Sequence, residues 1–170
     1  MAAEHITLNI DGQTVTAPKG ATVLEAAKAA GIYIPTLCYH PALEPYGGCR
    51  MCIVEIEKMR GLPPACTTPA APDMVVHTKT PQLEELRKQI LEMVYTEHPH
   101  SCLLCWKKER CHNFEVCQRT PSVTKHCIYC PKNYQCELQE VSDYVDMKHR
   151  PLTLSYHYRG MPLQNEDPFI

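Results

Sequence analysis

The 170-residue chain is poor in large aromatic side chains, with 2 Phe and 1 Trp, so ring packing cannot dominate its core. Neither charge is in excess: 17 Lys and Arg against 19 Asp and Glu leave a formal net charge of -2, which excludes a general electrostatic drive toward nucleic acid or anionic lipid. No apolar run approaches the length of a membrane span, and Met1 to Pro18 alternates polar and apolar residues where a secretory signal would carry a basic and then an apolar region. A phosphate-cradling glycine loop, a nucleophile with its base and a dinucleotide fingerprint are also missing, so neither flavin nor NAD is expected on this chain. These absences predict a cytoplasmic protein with no membrane span, no nucleic-acid partner and no substrate-converting residues of its own.

What is abundant is 15 Pro and 11 Cys. Without an export signal, Cys-x-x-Cys pairs read as metal ligands rather than a disulfide framework, and an odd cysteine count would leave one thiol unpaired. Ile6, Leu8 and Ile10 alternate before Asp11-Gly12, and Val15 continues the alternation, which predicts a β-hairpin. Thr22 and Glu25 form a capping box for a short helix ending at Gly31, laid across the hairpin. Strands are expected over Ile53–Ile56 and Met74–Val76. Thr80-Pro81 then opens an amphipathic helix on Leu83, Leu86, Ile90 and Val94, running to about His98. Residues 98–136 hold seven cysteines and few aliphatics, too little apolar material for a core without metal. Leu138, Val141, Tyr144 and Val145 predict a closing helix, and residues 151–170 an extended tail.

Cys38, Cys49, Cys52 and Cys66 follow the spacing C-x10-C-x2-C-x13-C, with Gly47-Gly48 before the central pair. A [2Fe–2S] cluster needs four thiolates on two irons and a backbone close enough for amide groups to reach sulfur, which glycine permits. A four-cysteine zinc site is the alternative, although such sites usually use two close pairs and only Cys49 and Cys52 are closely spaced here.

With Ile34-Pro35-Thr36-Leu37-Cys38, Gly47-Gly48-Cys49-Arg50-Met51-Cys52 and Ala65-Cys66-Thr67-Thr68, residues 5–78 resemble the β-grasp [2Fe–2S] domain that opens the large iron–sulfur subunit of respiratory complex I and many NAD-linked and iron-only hydrogenases. The C-x4-C-x2-C spacing of plant-type ferredoxins is absent. The resemblance implies an α+β fold in three parts: a ferredoxin-like domain over 1–78, a connector helix with a Cys/His cluster segment over 79–150, and a tail over 151–170.

The resemblance extends to His98-x3-Cys102-x2-Cys105-x5-Cys111, similar to the motif in which that family holds a [4Fe–4S] cluster with one histidine and three cysteines. Neutral imidazole in place of a thiolate would raise the potential. His100 reads as a bystander and His126 as a lesser candidate. The sequence then departs from the pattern: the family's Glu-Leu-Gln-like segment follows Cys136 and not Cys111, so Cys117, Cys127 and Cys130 lie in an insertion. Seven cysteines and His98 make eight ligands, enough for a second [4Fe–4S] site at Cys117, Cys127, Cys130 and Cys136. Exchange of Cys111, Cys117 and Cys136 between the two sites stays open, as does zinc in this half. Tyr39, Tyr46, Tyr129 and Tyr134 are expected to shield clusters from water. Lys107-Lys108-Glu109-Arg110 and Lys125-His126 read as a solvated face.

The function implied is wiring. Clusters move single electrons whereas NAD(P)H yields a hydride, so a flavin must stand between them. The resemblance implies an electron-transfer subunit of a multisubunit NAD(P)-linked oxidoreductase of hydrogenase, formate dehydrogenase or electron-bifurcating type. Its partners would be a flavin- and NAD(P)-binding subunit and a further iron–sulfur or catalytic module. A free-standing ferredoxin-like carrier is the alternative, and a partly zinc-binding scaffold a third reading. Tyr158–Ile170 is similar to the segment that in longer relatives leads into a two-[4Fe–4S] domain, which would let the tail clasp a neighbouring module.

Overall fold

The computed structural model describes residues 4–97 and 135–147, with side-chain surroundings for 4–95 and 135–147. The chain divides into two compact units, residues 1–90 and 91–170.

In the first unit, β1 (His5–Ile10) and β2 (Gln13–Pro18) form the antiparallel hairpin that the alternation predicts, with Leu8 opposite Val15. Asp11 and Gly12 join them with φ of 52° and 83°, the two left-handed positions that a tight two-residue hairpin turn demands. The Asn9 side chain accepts from the Gly12 amide at 2.8 Å. Thr22 and Glu25 make a reciprocal capping box at the start of α1 (Val23–Ala29), which buries Val23, Leu24, Ala26 and Ala27. Further on, β3 (Glu55–Ile56) pairs antiparallel with β4 (Val75–His77), and β4 runs parallel to β1, giving the strand order β2-β1-β4-β3. This mixed sheet with α1 gathered on the core is the expected α+β, β-grasp arrangement. The core joins Ile6, Leu8, Ile10, Val15, Val23 and Leu24 to Val54, Val76 and two cysteines, Cys52 and Cys66. The cysteine loops are thus continuous with the main apolar core.

Two elements differ from the sequence reading. The strand expected over Ile53–Ile56 pairs in the sheet only at Glu55 and Ile56. Upstream, Met51 and Cys52 turn and Ile53 makes an isolated antiparallel bridge to Pro64, with Val54 N–H donating to the Pro63 carbonyl at 3.0 Å and the Met51 and Ile53 carbonyls accepting from Arg87. The second difference lies in α2 (Pro81–Glu97), whose buried positions are Leu83, Arg87, Leu91 and Tyr95. The predicted Leu86, Ile90 and Val94 are only half-buried, so the inward stripe is rotated and carries two polar-tipped side chains.

In the second unit, α3 (Glu137–Tyr144) buries Leu138, Val141 and Ser142, with Val145 buried just beyond it. Tyr95 is sealed here: its hydroxyl is hydrogen-bonded to Ser142 Oγ, which donates to the Leu138 carbonyl. Burial, with minor contributions from Asp143 and Cys136 against the Ser142 hydrogen bond, pushes the Tyr95 phenol up to about 12. No helix among the described residues is long and apolar enough to cross a membrane.

Candidate metal centre

Cys38, Cys49, Cys52 and Cys66 are neighbours in the first unit. Cys38 follows the buried Ile34-Pro35, which anchors one end of the loop. The other end turns at Gly47, whose φ of 66° suits glycine and whose missing side chain leaves room for Pro64 Cγ 3.2 Å and Thr67 Cγ2 3.3 Å from where a Cβ would stand. Gly48 differs from it: the Tyr46 ring lies over it, with Cε2 only 2.1 Å from where an added Cβ would stand. Cys66 sits in a turn in which the Thr67 and Thr68 amides both donate to the Pro64 carbonyl at 3.2 Å. The first amides of α1 hold that turn, Val23 donating to Thr68 at 2.9 Å and Leu24 to Ala65 at 3.0 Å. These are the orphan donors of a helix start, used here to fix a cysteine loop.

The four thiols form two neighbouring pairs. The outer pair is half-buried: Cys49 N–H donates to Cys38 Sγ at 3.4 Å, and Met51 N–H donates to Cys49 Sγ at 3.5 Å. The inner pair, Cys52 and Cys66, is buried at 1% exposure each, with the Cys66 amide serving the Cys52 sulfur. Burial pushes the Cys38 thiol up, and Cys49's sulfur adds to this while its amide opposes it. Burial also drives Cys52 up to about 12, reinforced by the Cys66 and Cys49 sulfurs against the pull of the Cys66 amide. As free thiolates these groups are costly in this pocket, and a cationic centre removes that cost. Among the described residues no three Cys, His, Asp or Glu side chains close around a single ion. Two adjacent pairs, served by backbone amides, fit the donor set of a two-iron core.

Tyr46 keeps its ring on Gly48 while 75% exposed, and Leu43 on the same loop is 69% exposed. Tyr39 is half-buried against the core and carries the Lys28 ammonium 4.1 Å from its ring centroid. Arg50, between Cys49 and Cys52, is exposed with a left-handed φ of 57°. Sequence reasoning missed Arg87. Its signal was available, since position 87 falls four residues from both Leu83 and Leu91 on the buried stripe.

Of the second constellation, the structure describes Cys136, half-buried at the start of α3, where its carbonyl accepts from the Gln139 and Glu140 amides at 3.0 and 3.1 Å. His98, Cys102, Cys105, Cys111, Cys117, Cys127 and Cys130 lie outside the described residues, as do His126, Tyr129 and Tyr134.

Residues 3–81 match the family described as "2Fe-2S iron-sulfur cluster binding domain". The chain is 49% identical over 106 residues to an NADH-quinone oxidoreductase subunit of Rhizobium meliloti, covering 62% of this chain and 12% of that protein. It is 40% identical over 119 residues to "NADP-reducing hydrogenase subunit HndD" of Solidesulfovibrio fructosivorans, covering 67% of this chain and 20% of that protein. Among solved structures it resembles a chain of an "NAD+-reducing [NiFe]-hydrogenase in the H2-reduced state", with a TM-score of 0.63, 32% identity, and coverage of 85% of this chain and 51% of that one. The chain therefore spans a minor part of those curated relatives, and the stretch it shares with them is an iron–sulfur region of oxidoreductase subunits.

Proposed function

We propose that this chain, whose residues 3–81 match a 2Fe-2S cluster-binding domain, is an iron–sulfur electron-transfer subunit of a multisubunit NAD(P)-linked oxidoreductase, with Cys38, Cys49, Cys52 and Cys66 holding the [2Fe–2S] cluster. The observation that carries this reading is the gathering of those four thiols into two amide-served pairs at the rim of the sheet core. A [2Fe–2S] cluster bound there supplies reversible one-electron transfer. The inner cysteines bury their side of the site and exclude water, while Cys38 and Cys49 leave the opposite side half-open to a redox partner. The amides of Cys49, Met51 and Cys66 donate to sulfur and so favour its charged form.

His98, Cys102, Cys105 and Cys111 are proposed to hold a [4Fe–4S] cluster, and Cys117, Cys127, Cys130 and Cys136 a second. The partners are a flavin- and NAD(P)-binding subunit, because a hydride must be split before single electrons can pass, and a further iron–sulfur or catalytic redox module of hydrogenase, formate dehydrogenase or bifurcating type. The reading has the assembly in the cytoplasm, where thiols stay reduced.

The test is anaerobic isolation of the tagged full-length chain from its own cells, with flavin content and NAD(P)H-dependent bleaching of the iron–sulfur absorbance as readouts. Flavin in fixed proportion and bleaching by NADH or NADPH are expected. A flavin-free chain that dithionite reduces, and that serves several soluble acceptors without a fixed partner, would instead be a mobile carrier.

A further inference from the structure

Among the described residues Arg87 heads the largest fully buried side chains by volume, at 1% exposure, and lies in the first unit on α2. Its guanidinium donates to three main-chain carbonyls: Nε to Met51 at 3.2 Å, Nη2 to Ile53 at 2.8 Å and Nη1 to Thr78 at 2.9 Å. Arginine is almost never sealed from water without such bonding, because its charge must recover in hydrogen bonds what it loses in hydration.

The target of the fork is specific. Met51 and Cys52 form a turn that leads into Ile53, and the Met51 and Ile53 carbonyls both accept from Arg87 while the Cys52 carbonyl between them accepts from Ala65 N–H at 2.9 Å. Every carbonyl from residue 51 to 53 is therefore held, and Cys52 lies at the centre of the held segment. The third arm continues outward, since the Thr78 amide and hydroxyl both donate to the Asp11 carboxylate in the hairpin turn.

We infer that Arg87 is a positioning residue for the [2Fe–2S] site: it fixes the Cys52 segment and holds a permanent positive charge against that segment's backbone, where it favours the reduced, more negative state of the site. This rests on the reading of Cys52 as a cluster ligand. Net charge and hydrogen bonding around the sulfurs are what tune such potentials, and a guanidinium spreads its donors over a rigid planar fork where an ammonium gathers them on one atom.

The test compares wild type, Arg87→Met and Arg87→Lys as full-length chains purified anaerobically, by EPR-monitored redox titration and by the rate of iron loss to a chelator. Arg87→Met should lower the [2Fe–2S] midpoint by at least a tenfold change in the reduction equilibrium, about 59 mV for one electron. Arg87→Lys should restore most of that shift, since the charge returns, yet lose iron several-fold faster than wild type, since one ammonium cannot replace the fork. A purely structural role would leave the midpoint unmoved, so a wild-type midpoint in Arg87→Met overturns the inference. Should Arg87→Met fail to retain the cluster, Arg87→Lys decides: faster iron loss supports the inference, and wild-type loss refutes it. A wild-type chain without a [2Fe–2S] signal overturns the ligand reading itself, a result read before any variant is made.

Discussion

Two adjacent glycines show how little of a site's geometry is carried by residue type alone. Gly47 and Gly48 look equivalent in sequence, but Gly47 is buried with a positive φ, and Gly48 makes room for the Tyr46 ring. Alanine at 47 must enter the left-handed region and meet Pro64 and Thr67, which should cost about 1–2 kcal/mol. Alanine at 48 displaces an aromatic ring that is largely exposed and free to swing away, so its stability cost should stay within about 0.5 kcal/mol. Urea unfolding of both variants in the metal-free state checks the order; equal losses would contradict the distinction. Gly48→Ala should nevertheless hasten chelator attack on the loaded protein, because the ring that covers Gly48 next to Cys49 is pushed aside.

The elements were legible where local rules and tertiary packing agree. The hairpin at Asp11-Gly12, the capping box of Thr22 and Glu25, and the helix start at Thr80-Pro81 each rest on chemistry within a few residues. In the structure, Thr80 Oγ1 indeed accepts from the Leu83 amide at 3.3 Å. Legibility failed where distant groups take the hydrogen bonds of a strand-like run. The apolar alternation Ile53–Ile56 reads as one strand, but Ile53 and Val54 pair with Pro64 and Pro63, and Arg87, more than thirty residues away, takes the Ile53 carbonyl. The same competition rotated the inward stripe of α2, because an arginine and a tyrosine that find partners can be buried where a pattern of aliphatics would place Ile90 and Val94.

Tyr95 gives the packing of α3 a pH signature. Its phenol ionises near 10 in an unfolded chain and is pushed up to about 12 in the fold. Between those values the unfolded chain gives up its proton first, so this contribution to stability is fully present below pH 10 and falls as pH rises toward 12. Tyr95→Phe should flatten that part of the profile while weakening the fold at neutral pH through loss of the Ser142 hydrogen bond. The check is the difference between the wild-type and variant urea midpoints from pH 9 to 12; an unchanged slope would show that the phenol is not buried in solution.

At the scale of the whole molecule, the cysteine arithmetic joins the two units into one functional argument. Four thiols are accounted for by the first unit, where two pairs merge with an aliphatic core and two of the sulfurs are themselves core atoms. Their grouping was readable from the spacing C-x10-C-x2-C-x13-C with two glycines, and the structure places them as neighbours. Their division into an outer and an inner pair was not, since it depends on how the turn at Cys66 is tied to the Cys52 carbonyl by the Ala65 amide and to the start of α1. The central claim is that these thiols hold a [2Fe–2S] cluster in a chain built for one-electron transfer. Iron, zinc and acid-labile sulfide on the anaerobically purified full-length chain, paired with EPR after dithionite reduction, test it most directly. About ten irons, a matching amount of sulfide and no zinc are predicted, with a [2Fe–2S] signal that disappears in Cys52→Ala. Zinc in place of iron, or a [2Fe–2S] signal that survives Cys52→Ala, would contradict the account.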